Sequence, residues 1–228
     1  MHLPKNNRNR HETGNVLFII MIAIALVALL TQLVSKSSDT QSDILSTQTR
    51  DDEISRMQTQ AAALGAAIQQ MIVNGENPAT LYSNLSTLKP GDAGFETSPH
   101  NFKIYHPLGG GVDYMSGSTS ASSAVATEFG INKSSIITGV GATDAAVGDI
   151  LFTAKISTAA YCGRINEINT GSATVPVMAT ATFNALFTAG TTVTLAAGNC
   201  ASCVRAARLC VSNTGATAWG YYAALLPG

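Results

Sequence analysis

No charged residue appears between Glu12 and Lys36, and inside that gap the chain reads NVLFIIMIAIALVALL from Asn15 to Leu30. The run Val16–Val34 is 19 residues long and is interrupted only by Thr31 and Gln32. At about 1.5 Å per residue, a helix of that length measures close to 30 Å, the thickness of a bilayer's hydrocarbon core. Lipid offers the backbone no hydrogen-bond partners, so a lone apolar segment of this length is expected to be α-helical. The expectation is a transmembrane helix over residues 15–34, and it decides the compartment of everything that follows.

The flanks orient it. Lys5, Arg8 and Arg10 precede the run, with Glu12 the one acid near it, while Lys36 is followed by Asp39 and Asp43. Positive charge stays on the cytoplasmic side, which predicts the N-terminus inside and residues beyond about 35 exported. A cleaved secretory signal has the same charge sense. Its apolar region is usually about 7–15 residues and ends in a small-x-small site, whereas here a longer run leads into Gln32-Leu33-Val34-Ser35-Lys36.

After the span, a 228-residue chain leaves room for one compact exported domain. The formal net charge is −1 and no basic patch follows the N-terminal residues, so nucleic acid is not an expected partner. Ala, Ser, Thr and Gly dominate this region and suit β-rich structure with polar turns. Cys162, Cys200, Cys203 and Cys210 all lie beyond the span, and an even number of cysteines in an oxidising compartment points to disulfides.

Between Asn15 and Leu64 there is neither Gly nor Pro, so nothing stops the helix at the membrane surface. Ile54, Met57, Ala61, Leu64, Ile68 and Met71 recur at spacings of three and four, which places them on one helical face, while Asp51, Asp52, Glu53, Arg56, Gln58 and Gln69 fall off it. The stripe reads as a helix packed on its own domain's sheet, with packing against further copies as the alternative. The helix is expected to end near Asn74-Gly75, with Pro78 just beyond. The organisation is thus a basic leader (1–14), a transmembrane helix (15–34), an amphipathic helical stem (35–74) and an exported α+β domain (75–228).

Within that domain a short helix is expected around Ala79 to Leu85. Residues 102–105 and 112–115 form a hairpin-like pair about Pro107 and Gly109-Gly110-Gly111. Ser116 to Ser123 reads as an exposed loop. Strands are expected at Ile136 to Val140, Asp149 to Ile156, Val175 to Ala181, Thr191 to Leu195 and Ala218 to Leu226, with a helix at Tyr161 to Ile168 ended by Asn169-Thr170-Gly171. Few helices among these strands give an α+β class, mainly antiparallel.

Chemistry-bearing patterns are sparse. Cys200-Ala201-Ser202-Cys203 could be a thioredoxin-like pair, but no strand–helix context surrounds it; as a zinc site it would need Cys162 and Cys210 as further ligands. A bridge within Cys-x-x-Cys closes a tight ring, so the expected pairing joins Cys162 to Cys200 or Cys203 and leaves Cys210 with the other. A bridge across about 40 residues would stabilise by roughly 3–4 kcal/mol. His100, His106 and Asp113 match no ligand spacing, and the triple glycine lacks the Lys-Ser/Thr of a phosphate loop and serves a tight turn. No nucleophile elbow, His-Glu-x-x-His or close carboxylate pair occurs, so no enzyme and no cofactor is expected.

An apolar helix that turns amphipathic and then meets a β-rich domain resembles the layout of type IV pilins and pseudopilins. The basic segment, Gly14 and the hydrophobic run resemble a prepilin leader. The resemblance implies a prepilin peptidase cutting after Gly14, with Asn15 the new terminus. Asn15 stands where the family usually has Phe or Met, and Ile19 where it usually has Glu; the missing carboxylate argues against a major, self-polymerising subunit. The segments Gly14–Ile20, His106–Val112 and Tyr161–Asn166, with the aromatic strand Trp219 to Leu226, are similar to a group of uncharacterised bacterial pilin-like membrane proteins. The function this implies is a pilin-like or pseudopilin-like structural subunit of a secretion or pilus assembly in the inner membrane. Its partners would be the bilayer and homo- or hetero-oligomers of such subunits, and its C-terminal domain would be periplasmic or extracellular. The alternative is a single-pass anchor carrying a periplasmic binding domain that never polymerises.

Overall fold

In the computed structural model of the chain, residues 12–115, 126–141, 148–188 and 191–226 are described. The leader residues Lys5, Arg8 and Arg10 and the Ser116 to Ser123 tract lie outside them. The chain divides into two compact units, Met1–Thr49 and Arg50–Gly228.

The described residues of the first unit, 12–49, are helical. They form the beginning of α1 (Glu12–Val73), and every residue from 18 to 28 is exposed. Thr31 Oγ1 donates to the Val27 carbonyl at 2.7 Å, so this hydroxyl is satisfied within the helix itself. Among the described residues no helix is long and apolar enough to cross a membrane. The side chains at 16, 17, 29, 30 and 32–34 lie outside that description.

The second unit begins with the remainder of α1, where the apolar spacing takes effect. Ile54, Met57, Ala61, Leu64, Ile68 and Met71 are all buried, with Ala67 between them, in one core with the sheet. The helix ends where glycine allows it: Gly75 takes φ +106°, its N–H donates to the Ile72 carbonyl at 3.0 Å, and the Glu76 N–H donates to Met71 at 3.2 Å. That pair of bonds is the Schellman closure, which needs a left-handed residue after the helix. α2 (Pro78–Asn84) follows, with the Asn77 side chain accepting the Ala79 N–H at 2.9 Å and proline at the first helical turn.

β1 (Ala126–Ile137), β2 (Asp149–Ile156), β3 (Val177–Met178), β4 (Val193–Leu195), β5 (Arg208–Asn213) and β6 (Trp219–Leu226) form one sheet in the order β3-β5-β6-β2-β1-β4. The long ladders β1–β2, β2–β6 and β5–β6 are antiparallel. The outermost pairs β1–β4 and β3–β5 are parallel. The sheet is therefore mixed, which corrects the expectation of a mainly antiparallel domain at its two edges. Both edge strands return to the sheet after a helix or a long connection, and such crossovers permit parallel pairing.

Side-chain alternation gives the sheet two apolar faces. Phe152, Ala154, Ile156, Tyr221, Ala223 and Leu225 meet α1 and α3 (Ala159–Thr170). Leu151, Leu209, Val211 and Tyr222 meet α4 (Thr180–Leu186), β4 and a single 3-10 turn at Ala201–Cys203. Phe187, just after α4, lies flat against Gly220; a methyl group there would sit 2.5 Å from Phe187 Cε2.

α3 opens on Thr158, whose hydroxyl accepts the Tyr161 N–H, and closes on Gly171 at φ 77°. Its Asn166 acts as a substitute strand for the edge of β5. The side chain donates to the Cys210 carbonyl at 2.8 Å and accepts the Cys210 N–H at 2.7 Å. It also donates to the Thr174 carbonyl at 2.8 Å. Asn166 is fully buried, so truncation leaves donors and acceptors without water. Asn166→Ala is expected to cost about 2 kcal/mol, read as a lowered denaturant midpoint at unchanged slope.

Three local expectations are corrected. Residues 102–105 and 112–115 form no strands; they belong to a folded loop whose one bridge joins Ser86 and Lys103. Of the expected strand Val175 to Ala181 only Val177–Met178 is extended, and Thr180 onward is α4. Of the expected strand Ile136 to Val140 only 136 and 137 are extended, as the end of β1, whose residues 126–135 were not expected as strand.

Candidate functional site

The residues that sequence reasoning singled out fall in four places. Gly14 and Asn15 occupy the first turn of α1. The stripe from Ile54 to Met71 faces this chain's own sheet and is closed off from any second molecule at those atoms. Just before the stripe, Arg164 of α3 binds Asp51 of α1 in two bonds, Nε at 2.9 Å and Nη2 at 2.7 Å, and reaches Glu167 at 2.7 Å. The bidentate guanidinium holds the Asp51 carboxyl below the usual carboxylate range. Arg50 lies over the Tyr161 ring at 5.3 Å. These contacts fix the register of α1 on α3 within the second unit.

The cysteines pair as Cys162–Cys210 and Cys200–Cys203. The expected pairing of Cys162 with Cys200 or Cys203 is thereby corrected. α3 lies on β5 and brings the Cys162 and Cys210 Cα atoms to 5.4 Å. The 3-10 turn folds Cys200 back on Cys203 with Cα atoms 5.3 Å apart, within the usual disulfide span. All four sulfurs are bonded. Cys200 is 3 % exposed and Cys203 0 %, so an outside thiol finds no approach to either.

His100 and His106 do come together, and Asp113 does not join them. Asp113 is exposed, and its backbone carbonyl accepts from Gln60 Nε2 at 3.1 Å. The two imidazoles sit in the loop between α2 and β1, which is organised from inside by Lys103. The Lys103 ammonium donates to the carbonyls of Gly94 at 2.7 Å, Phe95 at 2.8 Å, and Thr97. Sequence reasoning missed this lysine because a lone Lys between Phe102 and Ile104 reads as a solvated position on a strand. The glycine run closes the same loop: at Gly110 a methyl group would lie 2.5 Å from the Ile104 carbonyl oxygen and 2.9 Å from Met71 Cε. Among the described residues no three His, Cys, Asp or Glu side chains gather to hold a metal ion.

A cleft of about 180 Å³ opens beside β1 and β2 at the end of α4, with Gly130, Asn132, Thr153 and Lys155 on the sheet and Leu186 and Phe187 above. It brings together an amide, a hydroxyl, an ammonium and an aromatic wall. No protein-family model, curated protein or solved structure matches this chain.

Proposed function

We propose that the chain is a pilin-like, membrane-anchored structural subunit of a bacterial envelope assembly, with the N-terminal part of α1 as both anchor and packing element. The observation that carries this reading is the contrast along α1. From Ile54 to Met71 its apolar stripe is buried in one core with the sheet of the second unit. From Phe18 to Val27 its apolar side chains are bare, with Phe18 63 % and Ile24 64 % exposed. A continuous apolar surface of that kind, without a charge from 13 to 35, is not tolerated in water; it needs lipid or neighbouring helices. The bonded hydroxyl of Thr31 suits either environment. Two buried disulfides suit an exported, oxidising compartment.

The test is the mature N-terminus, read by intact-mass spectrometry with a prepilin peptidase present and with it deleted. Processing to Asn15 in the first case alone supports the pilin-like reading; Met1 in both removes it. Partner packing is read separately, by disulfide crosslinking of Ile24→Cys in membranes. A ladder of oligomers is the expected result, and an unlinked monomer favours the bitopic anchor of a periplasmic binding domain. Positions on the Ile54 stripe are unsuitable for this purpose, because they face the sheet.

A further inference from the structure

Two imidazoles lie face to face in the loop that Lys103 organises. The rings of His100 and His106 are 4.0 Å apart between centroids and 12° from parallel. His106 is 5 % exposed. Its Nδ1 accepts the Leu108 N–H at 3.1 Å, which assigns the proton of the neutral ring to Nε2. Nε2 stands 3.5 Å from Glu96 Oε2, a carboxylate otherwise in solvent. Glu96, Lys103 and the opposite imidazole are the charged and titratable groups that face the pair. Leu108, at the end of this contact, is 73 % exposed.

We propose that His106 is a proton-operated latch on the Pro107–Leu108 turn, holding the Leu108 backbone while neutral and releasing it when Nδ1 is protonated. The chemistry is a change of role at one atom. Nδ1 of a neutral ring accepts; protonated, it becomes a donor, and two N–H groups then face each other where a hydrogen bond stood. Glu96 draws the resulting imidazolium through Nε2–H. A second proton on His100 is disfavoured beside it. Two cations stacked at that distance repel, and His100 Nδ1 is already buried without a partner among the described residues. Burial, His106 and Lys103 hold His100 below the ordinary histidine value, against the opposite pull of Glu96. The sign follows: a group depressed in the folded chain contributes its full stability above about 6.5, and that contribution declines as pH falls through this value.

The release is local. Gly109 N–H and Gly111 N–H donate to the His106 carbonyl at 2.9 and 3.0 Å, and Gly110 N–H donates to the Lys103 carbonyl at 3.0 Å. None of these bonds uses an imidazole, so the remainder of the loop keeps its fold while Leu108 moves. The latch lies wholly in the second unit and stands or falls independently of the membrane and assembly reading.

The test uses the full-length chain labelled with 15N at histidine and leucine, followed by NMR from about pH 8 to about pH 5. At the upper end His106 Nδ1 is expected at the shift of an unprotonated nitrogen. As the ring titrates, hydrogen exchange at the Leu108 amide, corrected for hydroxide concentration, is expected to rise about tenfold with the same midpoint. In His106→Asn the side-chain oxygen can accept the same N–H and does not titrate, so Leu108 stays protected throughout. Constant protection at Leu108 while His106 titrates, a protonated Nδ1 at the upper end, or an unchanged pH dependence in His106→Asn would each overturn the latch.

Discussion

Replacing Cys162 and Cys210 together by alanine is expected to lower the stability of the second unit by about 4 kcal/mol, or about 10 °C in Tm. The bridge joins residues 48 apart in sequence and so removes much freedom from the unfolded chain. The same replacement at Cys200 and Cys203, three residues apart, closes a far smaller ring and is expected to cost about 2 kcal/mol. Position sharpens the contrast. Cys162 and Cys210 lie in the core that α1, α3 and the sheet share, beside Asn166, which already satisfies the Cys210 backbone. Cutting that bridge loosens a helix from the strand it caps. Cutting the other alters one turn on the opposite face. Denaturant midpoints of the two double variants, measured under identical detergent and oxidising conditions, check the difference. Equal losses would mean that the longer loop keeps its structure when unfolded and that chain entropy is the wrong account.

Long periodic elements were legible from the residues; the loop that carries the latch was not. The end of α1 could be read because Gly75 is the position where a left-handed residue is required. β2 and β6 could be read because their alternation matches two covered faces, and α3 because Asn169-Thr170-Gly171 ends it, whereas its Thr158 cap went unread. β5 escaped notice. Arg208–Asn213 carries two aliphatic side chains among polar neighbours, and its inner face is completed by a cysteine and an asparagine from α3. The strand expected at Val175 to Ala181 overran into the start of α4 because Val and Thr favour extended structure, and the rest of α4 was not expected; the connection between β3 and β4 folds over the second face of the sheet and buries Phe183 and Leu186. The short runs at 102–105 and 112–115 looked like a hairpin by composition. What prevents one is Lys103, which draws three carbonyls around itself, and this arrangement has no periodic signature. The same limit applied to the cysteines: four residues give three pairings, and only the seating of α3 on β5 selects Cys162–Cys210.

Lys103→Met is expected to destabilise the second unit by about 3 kcal/mol. Methionine fills a similar volume but offers no donor, and the Gly94, Phe95 and Thr97 carbonyls lose the hydrogen that turns them inward. Lys103 is 5 % exposed, so water cannot enter without opening the loop. Ionic strength separates this account from an ion-pair one. The ammonium's hydrogen bonds go to neutral carbonyls, and Glu96 faces His106 at 3.5 Å instead. The difference between wild type and Lys103→Met, measured by chemical unfolding, is therefore expected to stay nearly constant from about 0.05 M to about 1 M salt, a range over which a surface pair would be screened. A difference that shrinks with salt would move the source of stability from the carbonyls to a carboxylate. A loss under about 1 kcal/mol would mean that water replaces the ammonium and that the loop does not depend on its buried charge.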